Sequence, residues 1–367
     1  MTPVAIEVRA EHAYQVRIGL HLSDLLPDEA WLRPGRRALL VCNEDSAPFA
    51  VQVEASALDC GMQVATARLP RGEAAKTVAT AEMLWRRCAD AELDRGGVVV
   101  AVGGGTVTDA AGFAAATWMR GVDWVAVPTT TAGMVDAAIG GKTGINTDAG
   151  KNLVGAFHSP TSVLCATQAL ASLPRADYAA GLVEALKCGF IRDAAILDLV
   201  AASPQAVFDP ASPELAEVIA RAVRVKAEVV GADFTEQGGG SALSREVLNY
   251  GHTFGHALEA ASSYALRHGD AVAVGMVFAA ELAEALAQAH PGLAVQHRQA
   301  LALLGVPTSH EHDVLAPLLE LMRRDKKARA GVLRFVLLHG QGEPYAADDV
   351  PLQAVEQAFA RTRMVSQ

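Results

Sequence analysis

The side chains best suited to chemistry lie between Ser244 and Glu259, where hydrogen-bonding residues recur at helical spacing. At about 100° per residue, four of them share a stripe about 60° wide on one continuous helix. Solvated helix faces more often carry Glu–Lys pairs four residues apart. The pattern therefore indicates a site, on a helix that Tyr250 and Phe254 would anchor to the core. The four residues of the stripe are Arg245, Asn249, His252 and His256.

Two histidines and one carboxylate form a ligand set suited to Zn²⁺ with an open coordination position. His268, just before the next predicted helix, is a further candidate ligand, and the spacing leaves open whether His252 pairs with His256 or with His268. Glu184 is the candidate carboxylate, because it lies on an otherwise apolar segment. With Lys187 three residues further on, it forms either a buried ion pair or a pair of site residues.

Two glycines interrupt the histidine segment. Gly251 and Gly255 each cost a helix about 1 kcal/mol relative to alanine. Their presence predicts that another part of the protein approaches the backbone closely at these positions.

A glycine-rich turn, Gly103-Gly104-Gly105, follows the apolar run 98–102 and precedes a helix predicted from about Asp109. Such a turn lets a ligand approach the backbone, and a helix N-terminus favours a pyrophosphate. The turn matches neither the GxGxxG pattern nor a Walker A loop. Thr129 and Thr130 add hydroxyls at the end of the next predicted strand, where open α/β sheets bind ligands.

Two lysines lie in a glycine-rich segment directly after that strand. Lys142 and Lys151 each follow a glycine, which predicts that both ammonium groups lie on tight turns. With Asp136 and Asn152 nearby, the segment indicates an anion-binding role.

The elements that must position these residues differ between the two halves. Continuous apolar runs separated by helices predict a parallel sheet covered on both faces in the first half. Helical spacing dominates the second half, apart from one strand-like run at 333–338. We expect an α/β fold, with a Rossmann-like parallel-sheet nucleotide-binding domain over 1–172 and a mainly α-helical domain over 173–367. Predicted strands are 37–42, 63–69, 97–102 and 124–127; predicted helices are 77–91, 109–119, 175–190, 193–202, 213–232, 243–264, 270–289 and 293–303.

Composition restricts the partners. The 367 residues are 51% hydrophobic with a formal net charge of -10, which argues against a nucleic-acid surface or an anionic membrane as the main partner. Five irregularly spaced cysteines without a CxxC fit reduced thiols. No export signal or membrane-length apolar run is evident. We expect a soluble, cytoplasmic protein that binds a small molecule.

Taken in order, these motifs resemble those of 3-dehydroquinate synthase, in the sugar-phosphate cyclase superfamily, over essentially the whole chain. The matching segments are Gly103–Asp109, Val127–Thr130, Val135–Gly144, Gly150–Asn152, Glu184–Lys187, Leu248–His256, His268–Asp270 and Asp325–Lys327.

The resemblance implies a role for each candidate residue. The metal, Zn²⁺ or Co²⁺, would be held by Glu184, His252 and His268, which leaves His256 for proton handling. The catalytic set would also include Lys142, Lys187, Asp136, Asn152, Arg245 and Asn249. Substrate-binding residues would be Arg120, Lys142, Lys151, Asn152, Lys187, Lys226, Arg245, Asn249, Lys326 and Lys327. NAD would contact Glu73, Lys76, Gly104, Gly105, Asp109, Thr129, Thr130, Asp136, Lys142 and Lys151.

The implied reaction converts 3-deoxy-D-arabino-heptulosonate 7-phosphate to 3-dehydroquinate and inorganic phosphate. Transient oxidation by NAD⁺, phosphate elimination, reduction and an intramolecular aldol closure would follow one another, so that NAD is not consumed. In the family, the residue that matches Arg120 reaches a neighbouring subunit's pocket, which implies a homodimer.

Departures from the family pattern bear on the substrate. Ser241, behind the apparent insertion Gly238–Gly240, replaces a glutamate, and Thr131 stands where leucine is common. An aminodehydroquinate synthase, which cyclises an amino analogue in antibiotic pathways, or another sugar-phosphate cyclase is therefore an alternative. An NAD-dependent polyol or glycerol-phosphate dehydrogenase would be expected to lack the lysine set. A non-catalytic relative would be expected to lack a metal ligand or clamp residue, and none is missing.

Overall fold

A computed structural model describes residues 2–27, 29–148, 150–237, 244–325 and 333–364, with the backbone alone at 324 and 325. The chain forms two compact units. Unit 1 contains residues 1–173 and 209–235, and unit 2 contains 174–208 and 236–367. The first division lies one residue beyond the predicted boundary. Residues 209–235, predicted to belong to the second domain, pack with unit 1. Lys226 therefore belongs to unit 1.

Unit 1 is built on a seven-stranded sheet in the order β1-β2-β9-β6-β5-β3-β4. All neighbours are parallel except β1 and β2, which form an antiparallel hairpin. The buried strand β5 is apolar along its length, as expected of a strand covered on both faces. The strands are β1 (Val4–Arg9), β2 (Ala13–Gly19), β3 (Arg37–Cys42), β4 (Gln63–Arg68), β5 (Val98–Gly103), β6 (Asp123–Pro128) and β9 (Ser162–Ala166).

Among the described residues, four α-helices and a second, smaller sheet complete unit 1. The hairpin of β7 (Lys142–Thr147) and β8 (Gly150–Phe157) packs on α3, and α6 packs on β1. A single π-helical turn, Gly133–Ala137, carries Asp136. The helices are α1 (Ala47–Asp59), α2 (Val78–Asp90), α3 (Gly105–Thr117) and α6 (Pro213–Ala232).

Unit 2 is mainly helical and packs around α8. Phe254 and Phe278 stack with ring centroids 4.1 Å apart in its core. The strand-like run at 333–338 forms a short antiparallel hairpin, β10 (Phe335–Leu338) with β11 (Pro344–Ala347). The helices are α4 (Arg175–Ile191), α5 (Ala195–Ala202), α7 (His252–Ala261), α8 (His268–Ala285), α9 (Leu293–Leu304), α10 (Ala316–Asp325) and α11 (Leu352–Thr362).

The predicted continuous helix over 243–264 is wrong. Residues Arg245–Asn249 form a 3₁₀ turn, and Gly251, with φ of 79°, separates it from α7. The left-handed conformation at Gly251 ends the first turn and starts the second in a new direction. Arg245 and Asn249 therefore do not share a helix with His252 and His256.

The strands β3, β4, β5 and β6 and most helices were predicted within a few residues of their observed bounds, whereas β9, α1, α10 and α11 were not predicted. The sequence did not reveal the β1–β2 and β7–β8 hairpins, and α3 begins at Gly105 instead of near Asp109. Among the described residues, no helix combines the length and the apolar character that a membrane crossing requires.

Candidate active site

Three potential metal ligands from three different helices of unit 2 converge. Glu184 lies within α4, His252 is the first residue of α7, and His268 is the first residue of α8. Both histidine Nε2 atoms face Glu184 Oε1, at 3.8 Å from His252 and 3.3 Å from His268. One donor atom from each residue lies within 4.8 Å of the others. The structure thus brings together the set that the family resemblance implied.

Close helix packing places these ligands. An ideal Cβ at Gly269 would lie 1.9 Å from the carbonyl oxygen of Ala180, so only glycine lets the start of α8 approach α4 so closely. On the other side of α8, a Cβ at Gly275 would lie 2.0 Å from the Gly251 carbonyl oxygen. A Cβ at Gly255 would lie 3.0 Å from the Ala271 carbonyl oxygen. The predicted close approach at Gly251 and Gly255 is confirmed, and α8 is the approaching element.

Glu184 is a buried carboxylate that is well prepared for a cation. Burial raises its pKa, but the Lys187 ammonium and the neighbouring imidazoles lower it well below its usual range. Lys187 Nζ lies 2.5 Å from Glu184 Oε2. Among the described residues, none makes a hydrogen bond of normal geometry to either Glu184 oxygen. A buried carboxylate in this state, facing two imidazoles, fits a divalent cation. The two sequence-based interpretations of Glu184 and Lys187 therefore coincide, because the ion pair lies within the ligand cluster.

His252 is oriented by the main chain. Its Nδ1 lies 3.1 Å from the Tyr250 carbonyl oxygen, to which it donates a hydrogen bond, so the Nε2 lone pair faces Glu184. Burial, followed by the Lys187 charge, lowers the pKa of His252 well below its usual value although Glu184 opposes the shift. The neutral imidazole is the form that binds a metal.

His268 lies between two carboxylates. Its Nδ1 is 3.1 Å from Glu259 Oε2, on the opposite side of the ring from Glu184. Burial lowers its pKa, but contacts with Glu184 and Glu259 raise it to about 10. Glu259 was not among the predicted residues, although its position seven residues after His252 puts both on one face of α7.

His256 lies beside the cluster, with its ring centroid 5.3 Å from that of His252 and 6.0 Å from that of His268. In the same unit, Asn249 Nδ2 donates to Glu236 Oε1 at 3.2 Å, and the Arg245 side chain is buried.

In unit 1, Lys76 forms the centre of a second cluster. Its Nζ lies 2.5 Å from Asp109 Oδ2 and 2.5 Å from Asn152 Oδ1. Burial raises the pKa of the Asp109 carboxyl, and Lys76 opposes the rise. Glu73 accepts a hydrogen bond from Asn146 Nδ2 at 2.6 Å and lies 3.8 Å from Lys151 Nζ. Asn146 was not among the predicted residues. Its position in the sequence between the predicted residues Lys142 and Lys151 is the signal that could have found it.

The glycine turn of unit 1 is shorter than predicted. Gly104 is the N-cap of α3, and a Cβ there would lie 3.0 Å from Thr130 Cγ2. Thr130 Oγ1 accepts a hydrogen bond from the Gly133 N–H at 3.0 Å, and the Thr129 N–H donates to the Gly103 carbonyl at 3.0 Å. Both threonines thus lie beside the first turn of α3.

Several other predicted residues of unit 1 lie on other elements than the sequence predicts. Lys142 and Lys151 lie on the strands β7 and β8, so their placement on tight turns is wrong. Lys226 is buried on α6 and contacts the side chain and the carbonyl of Asp136. Arg120 is exposed just after α3, with φ of 71°. Lys326, Lys327 and the insertion Gly238–Gly240 with Ser241 lie outside the described residues.

Comparison with known proteins agrees with the motifs. A family model described as 3-dehydroquinate synthase N-terminal matches residues 66–180, and a second, 3-dehydroquinate synthase C-terminal, matches residues 181–328. A 3-dehydroquinate synthase of Mycolicibacterium vanbaalenii is 48% identical over 343 residues, 93% of either chain. A 3-dehydroquinate synthase of Nocardia farcinica is 47% identical over 98% of this chain and 96% of its own.

A solved structure of similar fold is the 2-epi-5-epi-valiolone synthase of Streptomyces hygroscopicus subsp. jinggangensis, described with NAD⁺ and Zn²⁺ bound. It is 26% identical, with a TM-score of 0.86 over 97% of this chain and 98% of that chain. The family models match well over half of the chain, and the curated relatives match nearly all of it. The chain belongs to the 3-dehydroquinate synthase family.

Proposed function

We propose that this chain converts 3-deoxy-D-arabino-heptulosonate 7-phosphate to 3-dehydroquinate and inorganic phosphate. It would act as a phosphate-eliminating carbon–oxygen lyase that depends on NAD and on Zn²⁺ or Co²⁺. The observation that carries the proposal is the convergence of Glu184, His252 and His268 in a chain of this family.

The metal would be held by these three residues of unit 2. A bound Zn²⁺ or Co²⁺ supplies a Lewis acid that polarises a substrate oxygen, and NAD supplies a hydride acceptor. Lys187 keeps Glu184 ionised and lies in the same cluster. His256, one helical turn beyond His252, would accept or deliver a proton beside the metal ligands.

NAD would be bound by unit 1. The N-terminus of α3, with Gly104 as its N-cap and Gly105 as its first residue, offers backbone N–H groups of the kind that suits a pyrophosphate. Thr129 and Thr130 lie beside the first turn of this helix, and Asp109 follows one turn later on α3. Glu73 and Lys76 would contact the adenosine end, with Asp136, Lys142 and Lys151 completing the cofactor-binding set.

The substrate's phosphate, carboxylate and hydroxyl groups would be bound by the residues that the family resemblance implies. Planar guanidinium and point-charge ammonium groups bind such anions, and amides bind hydroxyls. Asp136 would contribute to catalysis together with several of these residues. The set is Arg120, Lys142, Lys151, Asn152, Lys187, Lys226, Arg245, Asn249, Lys326 and Lys327.

The family resemblance further supports a homodimer in which Arg120 serves the neighbouring subunit, and a cytoplasmic location. Light scattering on the purified protein tests the dimer, with a mass of twice 38.3 kDa expected. Mixing Arg120→Ala with Glu184→Gln protein tests the shared site. Partial recovery of activity in mixed dimers is expected, and no recovery after verified subunit exchange would contradict it.

The reaction is tested with purified protein, NAD⁺ and Zn²⁺. We expect phosphate release from the heptulosonate 7-phosphate without net NADH accumulation, measured together with 3-dehydroquinate formation. The amino analogue is offered in a parallel reaction. Preference for that analogue would assign the chain to the aminodehydroquinate synthases. NADH produced in step with turnover would indicate a dehydrogenase, and no phosphate release from either substrate would contradict a cyclase.

A further inference from the structure

Both ring nitrogens of His268 face carboxylates. Nε2 lies 3.3 Å from Glu184 Oε1, and Nδ1 lies 3.1 Å from Glu259 Oε2. Glu184 belongs to the proposed ligand set, but Glu259 has no role assigned so far. Its carboxylate comes from α7, whereas His268 begins α8, so the contact links two elements of the site.

The contact with Glu259 determines which nitrogen can bind a metal. A neutral imidazole has one N–H and one lone pair. A carboxylate accepts a hydrogen bond, so the N–H of neutral His268 lies on Nδ1, against Glu259. The lone pair then lies on Nε2, directed toward Glu184 and His252. A carboxylate in this position also increases the basicity of the ligand and fixes the orientation of its ring.

His268 requires such support more than His252 does. The His252 side chain is 12% exposed, and its Nδ1 is already held by the Tyr250 main-chain carbonyl. The His268 side chain is 43% exposed, whereas the Glu259 side chain is only 9% exposed. The more exposed ligand is therefore held by a buried side chain, which a single substitution can remove.

A second combination of donor atoms, from His256, Glu259 and His268, also lies within 4.8 Å. His268 is common to both combinations. A metal bound to His268 Nδ1 would replace the proton on that nitrogen and break its hydrogen bond to Glu259. The His268 ring would then no longer be held with Nε2 toward Glu184. We therefore interpret the two combinations as one metal site, held by Glu184, His252 and His268, in which Glu259 orients His268, and not as two metal sites.

We propose that Glu259 is the positioning residue of the metal site: by accepting the Nδ1–H of His268, it holds Nε2 toward the metal shared with Glu184 and His252. This inference rests on the metal dependence in the proposed function. It assigns Glu259 no contact with the metal or the substrate.

The test measures metal affinity directly. Zn²⁺ is titrated against a chelator with wild-type protein, Glu259→Gln, Glu259→Leu and the control Glu281→Gln. The glutamine variant keeps an acceptor without the charge, so we expect about 10-fold weaker binding, and the leucine variant removes the acceptor, so we expect about 100-fold. Glu281 is also a buried glutamate of unit 2, but it pairs with Arg298 and Arg361 instead of a ligand. Glu281→Gln should leave the metal affinity unchanged.

A Co²⁺ absorption spectrum adds a readout that general destabilisation would not change. We expect the d–d bands of Glu259→Leu to shift because the His268 ring is no longer held. Unchanged affinity and spectrum in folded Glu259→Gln and Glu259→Leu would overturn the proposal, as would wild-type protein that binds no divalent metal. If Glu259→Leu fails to fold, the near-isosteric Glu259→Gln decides. Affinity losses in a protein without cyclase activity would support the role of Glu259 while contradicting the proposed function.

Discussion

The two candidate clusters differ in how their charges are balanced. In unit 1, the Lys76 ammonium already contacts Asp109 and Asn152, and Lys226 already contacts Asp136. In unit 2, Glu184 is buried beside Lys187, yet no described residue makes a hydrogen bond of normal geometry to its oxygens. The cluster of unit 2 is therefore prepared for an added cation, whereas Lys76 and Lys226 of unit 1 must exchange partners before they bind an anion.

This difference shows that residue types indicate a kind of site more readily than its charge state. In unit 1, Lys142 and Lys151 suggested an anion site, but the Lys151 ammonium lies 3.8 Å from a carboxylate oxygen of Glu73. The histidines of unit 2 suggested a metal site, and the Nε2 atoms of His252 and His268 do face a common carboxylate. Substitutions that remove one charge at a time can test this contrast.

The largest effect is expected at Glu184. Glu184→Gln removes the charged ligand, and we expect Zn²⁺ affinity to fall by more than about 100-fold, since a ligand contributes more than its orienting partner. Cyclase activity should fall by about 10²–10³-fold or more. Chelator competition and phosphate release measure the two effects.

Glu184→Gln also leaves the Lys187 ammonium buried without its carboxylate, which can cost about 3–5 kcal/mol of stability. The double variant Glu184→Gln/Lys187→Met removes both charges and separates the two effects. We expect it to recover much of the stability, measured by urea unfolding, but none of the metal affinity. Metal affinity that returned with stability would mean that Glu184 acts through folding alone.

The metal-ligand set followed from the family resemblance, because helical spacing alone left open whether His252 pairs with His256 or with His268. Helical spacing drew attention to His252, but it also joined Arg245 to the same helix, which is wrong. The left-handed Gly251 that breaks the helix depends on the close approach of α8. Such a contact between segments distant in sequence is not encoded in local periodicity.

The sheet of unit 1 was predictable where strands are continuous apolar runs, as in β5. The β7–β8 hairpin was not, because its glycines and lysines suggested turns and β8 is largely exposed. Helix α6 belongs to unit 1 because it packs against β1, and composition does not reveal such a contact. Glu259 was missed because its partner, His268, lies beyond the end of the same helix.

The next largest effect tests the charge balance of unit 1. Lys76→Met leaves the Asp109 carboxylate without its ammonium, and we expect the free energy of unfolding to fall by about 3–5 kcal/mol. Lys76→Met/Asp109→Leu removes both charges and should recover most of that loss. Urea unfolding measures stability, and NAD⁺ titration should show weaker binding in both variants. A single variant as stable as the double variant would contradict the paired arrangement.

A smaller effect is expected from the glycine that turns the chain into α7. Gly251→Ala should lower the free energy of unfolding by about 1–2 kcal/mol for the left-handed conformation, with a further loss because the new Cβ would lie 2.7 Å from Met276 Cγ. Gly292→Ala is the matched control, since Gly292 also has a positive φ of 88° but no atom within 4 Å of an ideal Cβ at that position. Equal losses in the two variants would contradict a role for α8 packing. Zn²⁺ affinity should fall only in Gly251→Ala.

The smallest effect concerns the buried layer next to the metal site. His297 donates its Nδ1–H to the Leu293 carbonyl at 2.8 Å, so its Nε2 accepts a hydrogen bond from the Tyr250 hydroxyl at 2.9 Å. Burial lowers the pKa of His297 to about 4. The unfolded chain, with an ordinary histidine pKa of about 6.5, binds the proton more readily, so stability present above pH 6.5 is lost as the pH falls toward 4.

We expect this one histidine to remove about 2 kcal/mol of stability between pH 7 and pH 5. His297→Gln keeps an acceptor for Tyr250 but does not titrate, so its unfolding free energy, although lower at pH 7, should vary less with pH. Urea unfolding of both proteins at several pH values measures the difference, and the other buried histidines contribute equally to both. Parallel pH profiles would mean that His297 is not held neutral. The Tyr250 hydroxyl could then not donate a hydrogen bond to His297 Nε2. Tyr250, whose carbonyl orients His252, would lose this contact with the buried layer.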